Sequence, residues 1–213
     1  MAENQHRVAG LILAGGRGER LGGTIKSELP VGGVRLLERV AARLDGCSPL
    51  LVAHGRIAPG LLRLESGMIG VADLDSDYAG PLAGFAGAIA YLKTLARPPE
   101  FLVSVAVDTP FLPAGYVARL VDELGEEPAA VAAYGGQPYP TNSIWRIGRF
   151  RDLPEHVLAG TAPRSLKSLC AQAGGHLIEW PVGDAGDPFA NVNTPEDLVV
   201  LEQRAAAAAA IRN

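Results

Sequence analysis

Cysteine is scarce in this chain: Cys47 and Cys170 are its only two, far apart and without C-x-x-C spacing. That excludes a zinc knuckle or a redox dithiol. The pair reads as two reduced thiols of a cytosolic protein, with a single disulfide as the alternative. Histidine is equally sparse; His6, His54, His156 and His176 share no metal-ligand spacing and read as surface or core residues. Ser27 and Ser143 lie in no recognisable nucleophile motif, so covalent catalysis is not indicated. No apolar stretch is long enough to span a bilayer, and Met1–Arg7 is polar, so neither a membrane span nor a signal peptide is expected and the protein is placed in the cytoplasm. Positive charge is also not in excess. The formal net charge of −4 argues against nucleic acid or an anionic membrane as partner, since both want a basic face.

What the chain does have is enough apolar material for a full core: 48% hydrophobic and 20% charged over 213 residues. That suits one α/β domain covering 1–213. Short apolar runs alternate with helix-like segments. Val8–Leu13, Pro49–Ala53, Met68–Ala72, Phe101–Val107, Ala129–Tyr134, Thr141–Ile147 and His176–Trp180 read as strands. The run Phe101–Val107 is apolar nearly throughout, as expected of a strand buried on both faces. Arg35–Leu44, Pro81–Leu95, Ala114–Leu124, Arg151–Leu158 and Arg164–Ala173 read as helices, and the small residues of Pro81–Leu95 suggest close packing on a sheet. Thr194-Pro195-Glu196-Asp197 starts a last helix with a capping threonine, a first-turn proline and two acids. It runs into the alanines Ala205–Ala210, expected as a frayed tail over 202–213 without function. The alternation predicts an open, mostly parallel sheet covered on both faces, three layers in the order α/β/α. Ligands of such sheets bind beyond the carboxyl ends of the strands.

The most informative stretch follows the first strand: Leu13-Ala14-Gly15-Gly16-Arg17-Gly18-Glu19-Arg20-Leu21-Gly22-Gly23-Thr24-Ile25-Lys26. Glycines let backbone N–H groups approach an anion, and Arg17, Arg20 and Lys26 add full positive charge. Two familiar phosphate loops are excluded. The dinucleotide pattern G-x-G-x-x-G fails at Leu21, and a Walker loop would need glycine where Ile25 precedes Lys26-Ser27. A basic loop inside an acidic protein points to a small anionic ligand.

Asp108-Thr109-Pro110 ends the most apolar strand and would project a carboxylate over the sheet edge. There it would serve as a Mg²⁺ ligand beside substrate phosphates or cap the helix that follows. Asp73, Asp75 and Asp77 lead into Tyr78-Ala79-Gly80-Pro81-Leu82-Ala83-Gly84. Their spacing lacks the glycine and glutamate of a calcium loop, so the segment reads as a solvated helix cap or, in its Gly-Pro turn, as a pocket wall for a base or ribose. In Asn191-Val192-Asn193-Thr194-Pro195 the two asparagines alternate along an extended segment and point the same way, toward one ligand or into a helix-entry turn.

In order along the chain, Leu13-Ala14-Gly15-Gly16 with Arg20-Leu21-Gly22-Gly23 and Lys26 resembles the signature loop of the sugar-nucleotidyltransferase superfamily. Together with Gly80-Pro81-Leu82-Ala83-Gly84, Asp108-Thr109-Pro110 and Asn191-Val192-Asn193-Thr194-Pro195-Glu196-Asp197-Leu198, it resembles the MobA-type molybdenum cofactor guanylyltransferases from about Val8 to Leu201. The resemblance implies a Rossmann-like sheet of the nucleotide-diphospho-sugar transferase type. It divides the domain into a nucleotide-binding part, about 8–110, and an acceptor-binding part, about 111–201. The implied reaction transfers GMP from GTP to the phosphate of molybdopterin and releases pyrophosphate. Lys26, Arg20 and Asp108 would be catalytic, with Asp108 the ligand of Mg²⁺. Leu13, Ala14, Gly15, Gly16, Gly22, Gly23, Lys26, Asp77, Gly80, Pro81, Leu82 and Asp108 would bind the nucleotide, and Asn191 and Asn193 the acceptor. Other proteins of molybdenum cofactor biosynthesis are the implied partners.

Three positions depart from the family pattern. Ile25 stands where aspartate usually precedes the loop lysine. The second strand ends in Ala53-His54-Gly55-Arg56, where an asparagine commonly helps hold the base. Tyr139 replaces a histidine ahead of Pro140-Thr141. The alternatives are a related transferase with another nucleotide or acceptor, such as a molybdopterin cytidylyltransferase, and a nucleotide-binding relative without turnover.

Overall fold

A computed structural model describes residues 7–18, 22–74, 78 and 80–210. The strands are β1 (Val8–Leu13), β2 (Arg17–Gly18), β3 (Thr24–Ile25), β4 (Pro30–Val31), β5 (Val34–Arg35), β6 (Leu50–Ala53), β7 (Met68–Val71), β8 (Phe101–Ala106), β9 (Ala129–Tyr134), β10 (Gln137–Arg146) and β11 (His176–Trp180). The helices are α1 (Leu36–Ala41), α2 (Pro81–Lys93), α3 (Tyr116–Leu124), α4 (Leu153–Leu158), α5 (Leu166–Ala173) and α6 (Pro195–Ala210). Seven strands form one sheet in the order β11-β9-β10-β8-β1-β6-β7. Only the two pairings of β10 are antiparallel; the other four are parallel, as the alternation predicted.

Side chains alternate between two cores, as the period of two in a strand requires. Ile12, Val52, Val103 and Val105 face a cluster that includes Leu36, Leu37, Leu120 and Leu201. Leu11, Leu51 and Leu102 face Leu82, Phe85, Ile89, Leu153 and Leu166. Thus α1, α3 and α6 cover one face and α2, α4 and α5 the other. All six residues of β8 are buried. Along α2, Gly87 leaves room for the Ala72 carbonyl, which a Cβ there would meet at 2.2 Å, so the helix packs as close as its small residues suggested.

The strand expected over Thr141–Ile147 begins earlier, at Gln137. Tyr134 pairs with Gln137 across Gly135 and Gly136, both at positive φ, 58° and 77°; this is the two-residue turn that joins tight hairpins. Pro138 and Pro140 hid that start, because proline reads as a strand breaker. The pairing register shifts between Tyr139 and Ser143. At that bulge Asn142 Oδ1 accepts a hydrogen bond from Ala106 N, 3.0 Å.

The last helix also differs from expectation. Its start is capped reciprocally: Thr194 Oγ1 accepts from Asp197 N at 3.2 Å, and Asp197 Oδ2 accepts from Asn193 N and Thr194 N, each at 2.9 Å. The stretch leading into its alanine run, expected as part of a frayed tail, is docked, while Ala206, Ala207 and Ala210 are exposed and 211–213 lie outside the described residues. Ala205 is buried, Glu202 accepts from Gly32 N at 2.8 Å, and the Arg204 guanidinium lies over the Phe111 ring. Ala205 packs beside Gly32 in the turn between β4 and β5, a match that helix propensity alone does not reveal. Among the described residues no helix is long and apolar enough to cross a membrane, and both cysteines are free thiols.

Candidate active site

Four parallel strands end in step. Leu13 of β1 lies opposite Ala53 of β6 and Ala106 of β8, and Ala53 lies opposite Val71 of β7. Backbone bonds tie these ends together: Ala14 N to Ala53 O (2.8 Å), Val107 N to Leu13 O (3.2 Å) and His54 N to Val71 O (3.2 Å). Above them opens a cleft of about 660 Å³ lined by, among others, Leu13, Gly15, Gly16, Lys26, Asp108 and Asn191. This is where an open α/β sheet places its ligand.

The glycine-rich loop is a short hairpin, β2 against β3. It packs so closely on the turn after β6 that a Cβ on Gly15 would come within 2.9 Å of Gly55 Cα, and one on Gly55 within 2.8 Å of Gly15 Cα. Only glycine at both positions allows that approach. Ile25 belongs to β3 and packs against the core. Its apolar side chain thereby anchors the residue before Lys26 from below, where the family's usual aspartate would bring a charge. Ala14 is buried, and Gly22 and Gly23 are exposed; none of the three lines the cleft. Arg20 and Asp77 lie outside the described residues.

Lys26 is the centre of the polar arrangement. Its Nζ donates to Asp108 Oδ2 at 2.7 Å and to Asn193 Oδ1 at 2.6 Å. Both ionic side chains are mostly buried, 12% and 15% exposed. An ammonium has three N–H donors; two are used here, and the third is available to a ligand in the cleft. Asp108 follows β8 and ties down the opposite wall as well, its carbonyl accepting from Val192 N at 3.1 Å. The alternative, that Asp108 caps the following helix, does not match these contacts, because its carboxylate turns to Lys26. Asn191 lines the cleft, and its Oδ1 is buried without a hydrogen-bond partner. Asn193 meets the cleft through Lys26. Gly80 and Pro81 form part of the wall, while Leu82 is buried beneath it.

Four lining residues, Asp73, Arg56, Tyr78 and Thr141, entered the sequence reading only as parts of longer segments and were given no place in the site. Asp73 follows β7 as Asp108 follows β8, and that parallel was the available signal. Burial pushes its carboxyl above the usual aspartate range, against the pull of His54, Arg56 and a hydrogen bond from Gly55 N–H. Tyr78 is anchored by its hydroxyl, which donates to Ala162 O at 2.9 Å, and Arg164 lies over its ring at 5.0 Å. Thr141 is brought to the cleft by the bulge in β10. Beside it, the Tyr139 hydroxyl donates to Asp187 Oδ2, whose Oδ1 accepts from Phe189 N at 2.8 Å. Burial and that carboxylate hold the Tyr139 hydroxyl well above its usual range. The tyrosine found in place of histidine thus moors the segment leading to Asn191.

A family model described as the MobA-like NTP transferase domain matches residues 10–177. The chain belongs to that family. It is 36% identical over 199 residues to a molybdenum cofactor guanylyltransferase of Nitrobacter hamburgensis, covering 92% of this chain and 94% of the relative. A molybdenum cofactor guanylyltransferase of a Bradyrhizobium strain is 36% identical over 204 residues, 93% of each chain. The molybdopterin-guanine dinucleotide biosynthesis protein A of Archaeoglobus fulgidus shares the MobA-like fold at a TM-score of 0.66 and 23% identity, over 93% of this chain and 99% of that one. The mostly parallel sheet predicted from the strand–helix alternation is the fold of these transferases.

Proposed function

We propose that this protein transfers GMP from GTP to the terminal phosphate of molybdopterin, forming the guanine dinucleotide and pyrophosphate. The observation that carries the reading is the Lys26–Asp108–Asn193 junction: it stands in the cleft where the glycine loop, the end of β8 and the segment before α6 meet. The names of the relatives supply the substrates.

The chemistry needs little from the protein in the way of acid or base, because the acceptor phosphate oxygen is already an anionic nucleophile. What it needs is in-line placement of two mutually repelling anions and neutralisation of the charge that builds on the leaving pyrophosphate. Lys26 supplies a fixed positive charge whose position is set by two hydrogen bonds. The backbone at Gly15 and Gly16, which line the cleft, offers close approach to the phosphates. Asn191, with its unpartnered oxygen, faces the acceptor side.

The residues present also fit Mg²⁺. Asp108, which lines the cleft, offers a hard carboxylate oxygen beside the Lys26 ammonium. A single carboxylate suits an ion that takes its remaining ligands from substrate phosphates and water. Bound there, the ion would neutralise charge on the triphosphate.

The test is pyrophosphate release measured with GTP, CTP, ATP and UTP, each with and without molybdopterin and Mg²⁺. Release that requires GTP and molybdopterin is expected. Release with CTP but not GTP overturns the assignment.

A further inference from the structure

The sheet order places the charged groups of the cleft at its two ends. Asp108 follows β8, and Asp73 follows β7, with β1 and β6 between them. Three strand spacings separate those ends, about 14 Å in all. That is the scale on which a nucleotide separates its base from its phosphates. With the phosphates at Lys26, the base lies toward β6 and β7. There the lining is small, Ala53, Ala72, Gly80 and Gly84, and it carries two charged side chains, Asp73 and Arg56.

We propose that Arg56 is a specificity-determining residue that donates to O6 of guanine, beside Asp73 accepting from the neighbouring ring N–H; this rests on the guanylyl-transfer reading above. The placement follows from the turn. Gly55 sits at φ 57° in contact with Gly15, and its N–H hydrogen-bonds the Asp73 carboxylate. Arg56 is the next residue, and its guanidinium acts on that carboxylate as a neighbouring charge. Turn and carboxylate are therefore fixed relative to each other, and both face the cleft.

The chemistry of the pair is one-sided. Arginine only donates and a carboxylate only accepts, so the two offer a donor beside an acceptor. Guanine presents the complement, the O6 acceptor beside N1–H and the exocyclic amine. Adenine and cytosine present the reverse order, an amino donor beside a ring-nitrogen acceptor, and leave like groups facing like. Uracil repeats guanine's order at two positions, but its single ring is shorter and it lacks the amine. An asparagine carries donor and acceptor in one amide; here, where the family pattern has asparagine, Arg56 provides the donor half and Asp73 the acceptor half.

The experiment uses the full chain, wild type and Arg56→Ala and Arg56→Gln, with equilibrium binding of the Mg²⁺ complexes of GTP, 6-thio-GTP and ITP. 6-Thio-GTP replaces the O6 acceptor by a weaker one, and ITP lacks only the exocyclic amine. Wild type is expected to bind GTP about tenfold tighter than 6-thio-GTP, the range of one good base contact. Arg56→Ala should bind GTP about tenfold more weakly and lose the preference for O6, while its GTP-to-ITP ratio stays that of wild type. Arg56→Gln, which retains one donor, should fall between. Equal weakening toward all three nucleotides would mean a phosphate contact and overturn the proposal, as would an unchanged O6 preference. A wild type that binds GTP no better than CTP and ATP overturns the guanine reading itself. A wild-type preference for GTP that survives in Arg56→Ala overturns this assignment alone.

Discussion

Lys26 Nζ lies 2.7 Å from Asp108 Oδ2 across 82 residues of chain, joining the loop after β1 to the end of β8. The pair fixes the Lys26 ammonium in the cleft, where the proposed reaction needs a positive charge beside the phosphates. Replacing Lys26 by methionine is expected to lower kcat by about 10²–10³-fold, the scale for loss of one preorganised group acting on developing charge. Steady-state pyrophosphate release measures it. Lys26→Arg should not restore the rate, because a planar fork cannot reproduce two bonds to a compact ammonium.

Asp108→Asn is expected to abolish Mg²⁺-supported turnover while leaving GTP binding measurable without Mg²⁺. Full activity in that variant would remove the metal role from Asp108. Calorimetric titration of GTP with and without Mg²⁺, alongside turnover, separates the two.

Asn193 holds Lys26, and Asn191 faces the cleft with an unpartnered oxygen. Asn191→Ala should raise the KM for molybdopterin and leave the KM for GTP near wild type. Asn193→Ala should lower kcat as well, because Lys26 loses a 2.6 Å hydrogen bond. A change confined to the GTP KM in both variants would move these residues off the acceptor side.

Asp73 carries a pH dependence whose sign follows from its burial. Its carboxyl sits above the usual aspartate range, so the protonated form persists to higher pH than for an exposed aspartate. The ionised form is the one that accepts a ring N–H. GTP affinity is therefore full above that raised pKa and lost as pH falls through it, with proton release on binding. Binding measured against pH should show this fall in wild type and not in Asp73→Asn, both being corrected equally for titration of the nucleotide.

The cap of α6 ties stability to the site. Thr194→Ala is expected to cost about 1 kcal/mol in denaturant unfolding. It should also weaken the Asn193–Lys26 contact, because Asn193 is held by the same cap. The Asp197 carboxyl, kept below its usual range by the Asn193 and Thr194 N–H bonds, contributes above the unfolded pKa, and its contribution is lost as pH falls through the folded one. The destabilisation by Thr194→Ala should thus be smaller in acid.

Much of this was legible in the sequence. Strands buried on both faces appear as apolar runs, so β1, β6, β8 and β9 could be found without partners, and the half-buried edge strand β7 was still read from its apolar residues. Asp108 and Lys26 were visible because a carboxylate after such a strand and a lysine after a glycine-dense loop each have a chemical reason to be there. The contact between Lys26 and Asn193 was not, since 167 residues separate them and no local pattern encodes the meeting. Asp73 was read only as one of a run of aspartates, weighed as a calcium loop or a solvated helix cap and not as a cleft residue. Arg56 sits in an ordinary turn, and only the approach of Gly55 to Gly15 gives that turn its place.

The path of α6 closes a circuit. The helix leaves from Asn193, whose side chain grips Lys26, and lands through Glu202 and Ala205 on Gly32, six residues beyond that lysine in the chain. The segment that begins at Lys26 is thus held from the far end of the polypeptide at two points, Lys26 itself by Asn193 and Gly32 by the other end of the same rod. The C-terminal stretch therefore behaves as a strut between the Lys26–Asp108 corner of the cleft and the turn at Gly32.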